Sequence, residues 1–226
     1  MDNALMKASL AELIGTFILT FVGGFAVTVA GQQGLVVPAL AHGIILVSIA
    51  YTYGGISGAH VNPAVTIGLL VGGKIDAMKA GAYIIAQVIG AIIAAVVLNI
   101  LVPGTNVGVT TGSLTATAPW TAAAFEAILT FFLVSTVYQA AVYGRAGNLA
   151  GVAIGFTLAG SIFAGGVYTG ASLNPARTLG PALIAGDLSY VIPYLVGIFA
   201  GGIIAGLLHA YVLAPEPEPV QTGRKK

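Results

Sequence analysis

Charge is what this chain has least of. Its 226 residues include 8 Lys+Arg and 7 Asp+Glu, 7% in all, against about 25% in an ordinary soluble domain. A soluble protein of this size must cover its outside with polar groups, and so few charges cannot do that. The composition excludes a cytosolic enzyme, a nucleic-acid binder and a disordered chain. The formal net charge of +1 offers no field for a polyanion. Cysteine is absent, which excludes disulfides, thiolate chemistry and Cys-based metal sites. What the chain has is apolar: 58% hydrophobic residues, a mean hydropathy of +1.00 and 32 glycines. That is an integral membrane protein, with lipid as its outer solvent. Abundant glycine in an apolar chain points to closely packed membrane helices.

A membrane-spanning helix needs roughly 20 apolar residues. Six stretches qualify: 9–30, 38–57, 79–102, 120–143, 148–166 and 189–213. The first starts too late and runs too long for a signal peptide, so it reads as a span. The basic residues set the orientation. With six spans, Lys7, Lys74, Lys79, Arg145, Arg224, Lys225 and Lys226 fall on one side, and only Arg177 falls on the other. The positive-inside rule makes the first side cytoplasmic, with both termini there. The expected organisation is a single membrane domain over 1–213 and a polar, Pro-rich, disordered tail over 214–226.

The sequence repeats. AELIGTF at 11–17 resembles FEAILTF at 125–131, which pairs Glu12 with Glu126 and Thr16 with Thr130. SGAHVNPAVTIG at 57–68 matches TGASLNPARTLG at 169–180, which pairs Asn62, Pro63 and Ala64 with Asn174, Pro175 and Ala176. The halves, about 8–102 and 120–213, hold three spans each. An odd number of spans forces opposite orientations, so this is an inverted repeat. Each motif leads into an apolar stretch too short to span. The economical arrangement is two re-entrant half-helices that enter from opposite faces and meet near the midplane.

Proline is favoured at the first helical position, and asparagine is a strong N-cap. Asn62-Pro63 and Asn174-Pro175 therefore read as helix starts, and small Ala64 and Ala176 let them approach. Two positive helix ends then face each other, and each Asn amide can present a donor to a lumen. This favours a neutral solute that accepts hydrogen bonds and opposes protons and cations.

On these motifs the chain resembles the aquaporins, or major intrinsic proteins, over residues 8–213. The resemblance implies an all-α membrane fold of six transmembrane helices with two re-entrant half-helices. It also implies a homotetramer with one pore per subunit, and passive transport of water without a cofactor. By the same resemblance Arg177, an intramembrane arginine of the kind that faces a wet cavity, is the filter arginine. The family's spacing adds His42, Ile162 and Ala171 to the filter. This set departs from the narrow water-specific pattern, which has an aromatic at the His42 position and a histidine at the Ile162 position. It looks like tonoplast-type plant filters and archaeal ones, which implies water plus small neutral solutes such as ammonia or urea. Thr178 stands where glycerol facilitators carry Asp.

The remaining polar residues leave two readings open. Glu12 and Glu126 read as carboxylates that accept N–H bonds from the re-entrant loop of their own half, with ion coupling as the alternative. His60 reads as a tie for loop backbone, with a pH-responsive role as the alternative. A passive channel in the cell membrane is the leading expectation. A channel mainly for ammonia, urea or glycerol and a coupled secondary transporter are the others. An enzyme is not expected, since no nucleophile–base or metal constellation appears.

Overall fold

The computed structural model describes residues 2–31 and 34–216. Among the described residues, six helices are long and apolar enough to cross a membrane. They are α1 (Asn3–Thr28), α2 (Val36–Ser57), α4 (Ala77–Leu101), α6 (Pro119–Thr136), α7 (Ala150–Thr169) and α9 (Val191–Tyr211). Between them lie two half-helices, α3 (Pro63–Val71) and α8 (Pro175–Ala185), and a short α5 (Ser113–Thr117). No strand occurs among the described residues.

The helix ends follow local chemistry. Asp2 and Asp76 cap α1 and α4, accepting from Leu5 N at 2.7 Å and Lys79 N at 2.8 Å. Gly58 and Gly170 end α2 and α7 at φ of +94° and +83°, a region open to glycine. Three features differ from the expected spans. The first helix starts at Asn3 rather than residue 9. The fourth span finishes in a π-helical turn, Val137–Val142. The long connection after α4 holds α5, which hydropathy alone cannot reveal. The expected tail over 214–226 lies, from residue 217 on, outside the described residues.

Packing is built on close backbone approach. α2 crosses α7 where Gly43 faces Gly155; a Cβ on Gly43 would stand 2.7 Å from the Gly155 carbonyl oxygen. Without side chains in the way the two backbones touch, which suits helices that gain nothing from hydrophobicity in lipid. α1 packs on α4, and α6 on α9. The half-helices cross over: α3 packs on α9, from the other half, and α8 packs on α4. Large apolar side chains such as Ile44, Phe156, Ile192 and Ile204 remain exposed on the outside, as lipid-facing positions should.

With an even number of spans, six among the described residues, both described chain ends stand at one face of the bundle, called here the terminal face. The loops joining α1 to α2 and α4 to α6 lie at the opposite, distal face.

Candidate pore and constriction

The two loops that lead into the half-helices share one construction. Ala59 and Val61 have φ of +49° and +42°, and Ala171 and Leu173 have +46° and +55°. Left-handed backbone costs a residue with a Cβ roughly 1–2 kcal/mol. The loops hold that conformation because a buried carboxylate gathers their N–H groups. Glu12, on α1, accepts from His60 N at 2.9 Å, Val61 N at 2.6 Å and Ser57 Oγ at 2.6 Å. Glu126, on α6, accepts from Ser172 N at 2.9 Å, Leu173 N at 2.8 Å and Thr169 Oγ1 at 2.7 Å. Every partner is a donor, so both carboxylates are spent on loop geometry. Charge-assisted bonds of this kind are about twice as strong as neutral ones.

Tyrosines complete the pattern, with Tyr83 donating to the Ser57 carbonyl at 2.7 Å and Tyr194 to the Thr169 carbonyl at 2.8 Å. One element breaks it: Gln87 donates to Glu12 at 2.7 Å and to Thr66 Oγ1 at 3.0 Å. His60 holds the first loop at two points. Its main-chain N–H meets Glu12 at 2.9 Å, and its ring pairs Nδ1 with the Thr66 hydroxyl at 3.1 Å. It therefore ties the loop both to α1 and to the half-helix α3.

At the midplane each Asn caps its own helix. Asn62 Oδ1 accepts from Ala64 N at 2.8 Å, and Asn174 Oδ1 accepts from Ala176 N at 3.0 Å and Arg177 N at 3.3 Å. Each amide also reaches across to the other half. Asn62 Nδ2 donates to the Leu173 carbonyl and Asn174 Nδ2 to the Val61 carbonyl, both at 2.8 Å. One hydrogen of each NH₂ is thus committed to the opposite half, and one is left for a solute. Both Asn residues line a cavity of about 470 Å³ that opens toward the terminal face beside Tyr51 and Asn148.

A second cavity, about 380 Å³, lies toward the distal face between Leu35, Val109 and Ile162. The two cavities share two lining residues, His42 and Arg177. Each of these is 3% exposed. Arg177 donates through Nε to His42 Nε2 at 3.0 Å and through Nη1 to the Gly108 carbonyl at 3.1 Å. His42 Nδ1 sits 2.7 Å from the Pro38 carbonyl, which only a protonated Nδ1 can satisfy. That fixes the tautomer, with Nε2 as acceptor for Arg177. Both acceptors of the arginine are neutral, and two of its five N–H groups are engaged. The side chain of Ala171 lines neither cavity; it packs in the core with Ile162 and Leu173. Gly108, with no side chain, has no signal in the sequence as a partner of Arg177.

The family model for major intrinsic proteins matches residues 2–209. The chain belongs to that family. A relative from Arabidopsis thaliana, "Aquaporin TIP2-3", is 40% identical to this major intrinsic protein over 96% of its chain and 91% of the relative. "Probable aquaporin TIP1-2" of Oryza sativa subsp. japonica is 41% identical over 90% and 85%. Among solved structures, the aquaglyceroporin from Plasmodium falciparum superposes with a TM-score of 0.81 at 24% identity, covering 93% of this chain and 98% of that one. At that identity the likeness speaks for the fold. As a member of the family, the chain is a multi-pass membrane protein of the channel kind rather than of an enzyme kind.

Proposed function

We propose that this major intrinsic protein is a passive channel for water that also passes small neutral solutes and excludes protons and ions. The observation that carries the reading is the meeting of two cavities from opposite faces at His42 and Arg177. Between the faces a solute meets a fixed cation, the two Asn amides and otherwise neutral walls. Relatives named as aquaporins at about 40% identity support the same reading.

The Asn pair supplies the barrier to protons. A water at the midplane that takes one N–H from Asn62 and one from Asn174 fills both its lone pairs. Its own hydrogens then point outward along the pore, and the chain of waters reverses direction there. A proton cannot hop through such a reversal. The N-terminal ends of α3 and α8, each worth about half a positive charge, add a repulsive potential for cations. Arg177 adds a whole charge at the constriction. Ile162 lines the distal cavity beside the constriction and makes that wall apolar, which suits ammonia or urea beside water.

The carboxylates of the two halves support a channel over coupled transport, because Glu12 and Glu126 hold loops and do not face a substrate. We further assign both termini to the cytoplasm, from the seven basic residues on that side, and, from the family resemblance, a homotetramer in the cell membrane. Stopped-flow light scattering on proteoliposomes tests the function. Osmotic water flux well above that of empty vesicles, with urea or ammonia influx and no gradient dependence, is expected. Saturating flux driven by a pH or Na⁺ gradient would replace the channel reading with a transporter.

A further inference from the structure

We infer that the consecutive glycines Gly23 and Gly24 of α1 are the positioning residues of the constriction, since they set where both acceptors of Arg177 stand. Neither touches the lumen's cation itself. Successive residues on a helix point about 100° apart, so the pair faces two neighbours at once. A Cβ on Gly23 would overlap Nε2, Cδ2 and Cε1 of His42. The imidazole therefore lies flat against bare α1 backbone, with Nδ1 pinned to the Pro38 carbonyl and Nε2 turned to Arg177. A Cβ on Gly24 would stand 2.6 Å from Leu98 Cδ1 and 3.6 Å from the Gly108 Cα, so Gly24 seats Leu98 directly and the distal loop comes down beside it. A Cβ on Gly108 would stand 2.6 Å from the Gly24 Cα, so that loop rests on the helix glycine to glycine. Gly108 is the residue whose carbonyl receives Arg177 Nη1 at 3.1 Å. One dipeptide thus sets the ring on one side of the guanidinium and the carbonyl on the other.

A methyl at position 23 pushes the ring off α1 by about an ångström or more, along the normal to its plane, and so moves it within the two cavities that it lines. The constriction narrows, so the wider solute suffers first.

The inference rests on the channel reading, and the experiment separates the two. Water and urea permeabilities are measured in proteoliposomes for the unaltered protein, Gly23→Ala, His42→Ala and the double variant, normalised to helical protein incorporated. Absence of water flux in the unaltered protein removes the channel reading. If it conducts, Gly23→Ala should lower the urea-to-water ratio, and His42→Ala should raise it. With no ring to displace, the double variant should match His42→Ala. A ratio unmoved by Gly23→Ala, or a deficit that persists in the double variant, overturns the proposal for Gly23. Gly104 supplies the control for the loop: its φ is +81° against +80° for Gly108, but nothing lies within 4 Å of its Cβ position. Gly108→Ala should change the ratio and Gly104→Ala should not. Equal effects would overturn the role of the Gly24 seat.

Discussion

Glu126 offers the sharpest test of how the second half-helix is held. Its carboxylate accepts from Ser172 N, Leu173 N and the Thr169 hydroxyl at 2.7–2.9 Å in a fully buried site. Glu126→Gln preserves shape but keeps only one accepting oxygen. The amide NH₂ then faces at least one loop N–H, donor against donor. A buried donor left unpaired costs about 1–3 kcal/mol. Glu126→Leu strips both N–H groups, for about 2–6 kcal/mol. The loop has little to spare, because Ala171 and Leu173 already sit at φ of +46° and +55°, which costs roughly 1–2 kcal/mol each. Relaxation of this loop would carry Asn174 and Arg177 with it. Glu126→Gln should lower the thermal midpoint of the purified protein by circular dichroism and reduce water flux in proteoliposomes, and Glu126→Leu should do both more severely. If Glu126→Gln melts and conducts like the unaltered protein, the carboxylate does not hold the loop and the reasoning fails.

Asn174→Asp or Arg177→Val should weaken cation exclusion and raise proton or Na⁺ leak relative to water flux; a dye-based proton flux assay showing no change in either would count against the assigned constriction. Mercuric chloride should leave water flux unchanged, since the chain has no cysteine, and rapid block reversed by thiol would contradict this. At the distal surface, Ser189 donates to Asp187 through Oγ at 2.7 Å and N at 3.0 Å. These bonds hold the Asp187 carboxyl below its ordinary value. A depressed folded pKa means the contribution is present above the unfolded value, about 3.9, and is lost as pH falls through the folded one. The turn after α8 should therefore be equally ordered from pH 8 to pH 5, and hydrogen exchange at Ser189 should speed up only below the carboxylate range. Earlier loosening near pH 6 would refute that assignment.

Much of the architecture could be read locally. Hydropathy finds six spans because lipid imposes length and apolarity on each segment separately. Asn-Pro marks a helix start in each half because capping and a fixed φ act over three residues. Other features leave no local trace. Val61 is a poor candidate for left-handed backbone on its own chemistry, and only the carboxylate of Glu12, 49 residues away, makes it hold. The π-helical turn at Val137–Val142 coincides with Tyr138 reaching the Gly68 carbonyl at 3.0 Å, a contact set by another helix. The family's spacing puts Ala171 in the filter, whereas its side chain packs in the core with Leu173.

The sequence by itself determined that this chain lives in lipid, that it crosses six times, and that two capped helix starts recur in halves of opposite orientation. Those are properties of segments and of their count. Tertiary structure alone decided how the halves depend on each other. Each Asn donates to a carbonyl of the opposite half, and each half-helix packs on a span from the opposite half. It also decided that Arg177 stands between an imidazole and the carbonyl of a glycine. Backbone carbonyls are the same in every residue, so no side-chain pattern can say which of them will meet a buried donor.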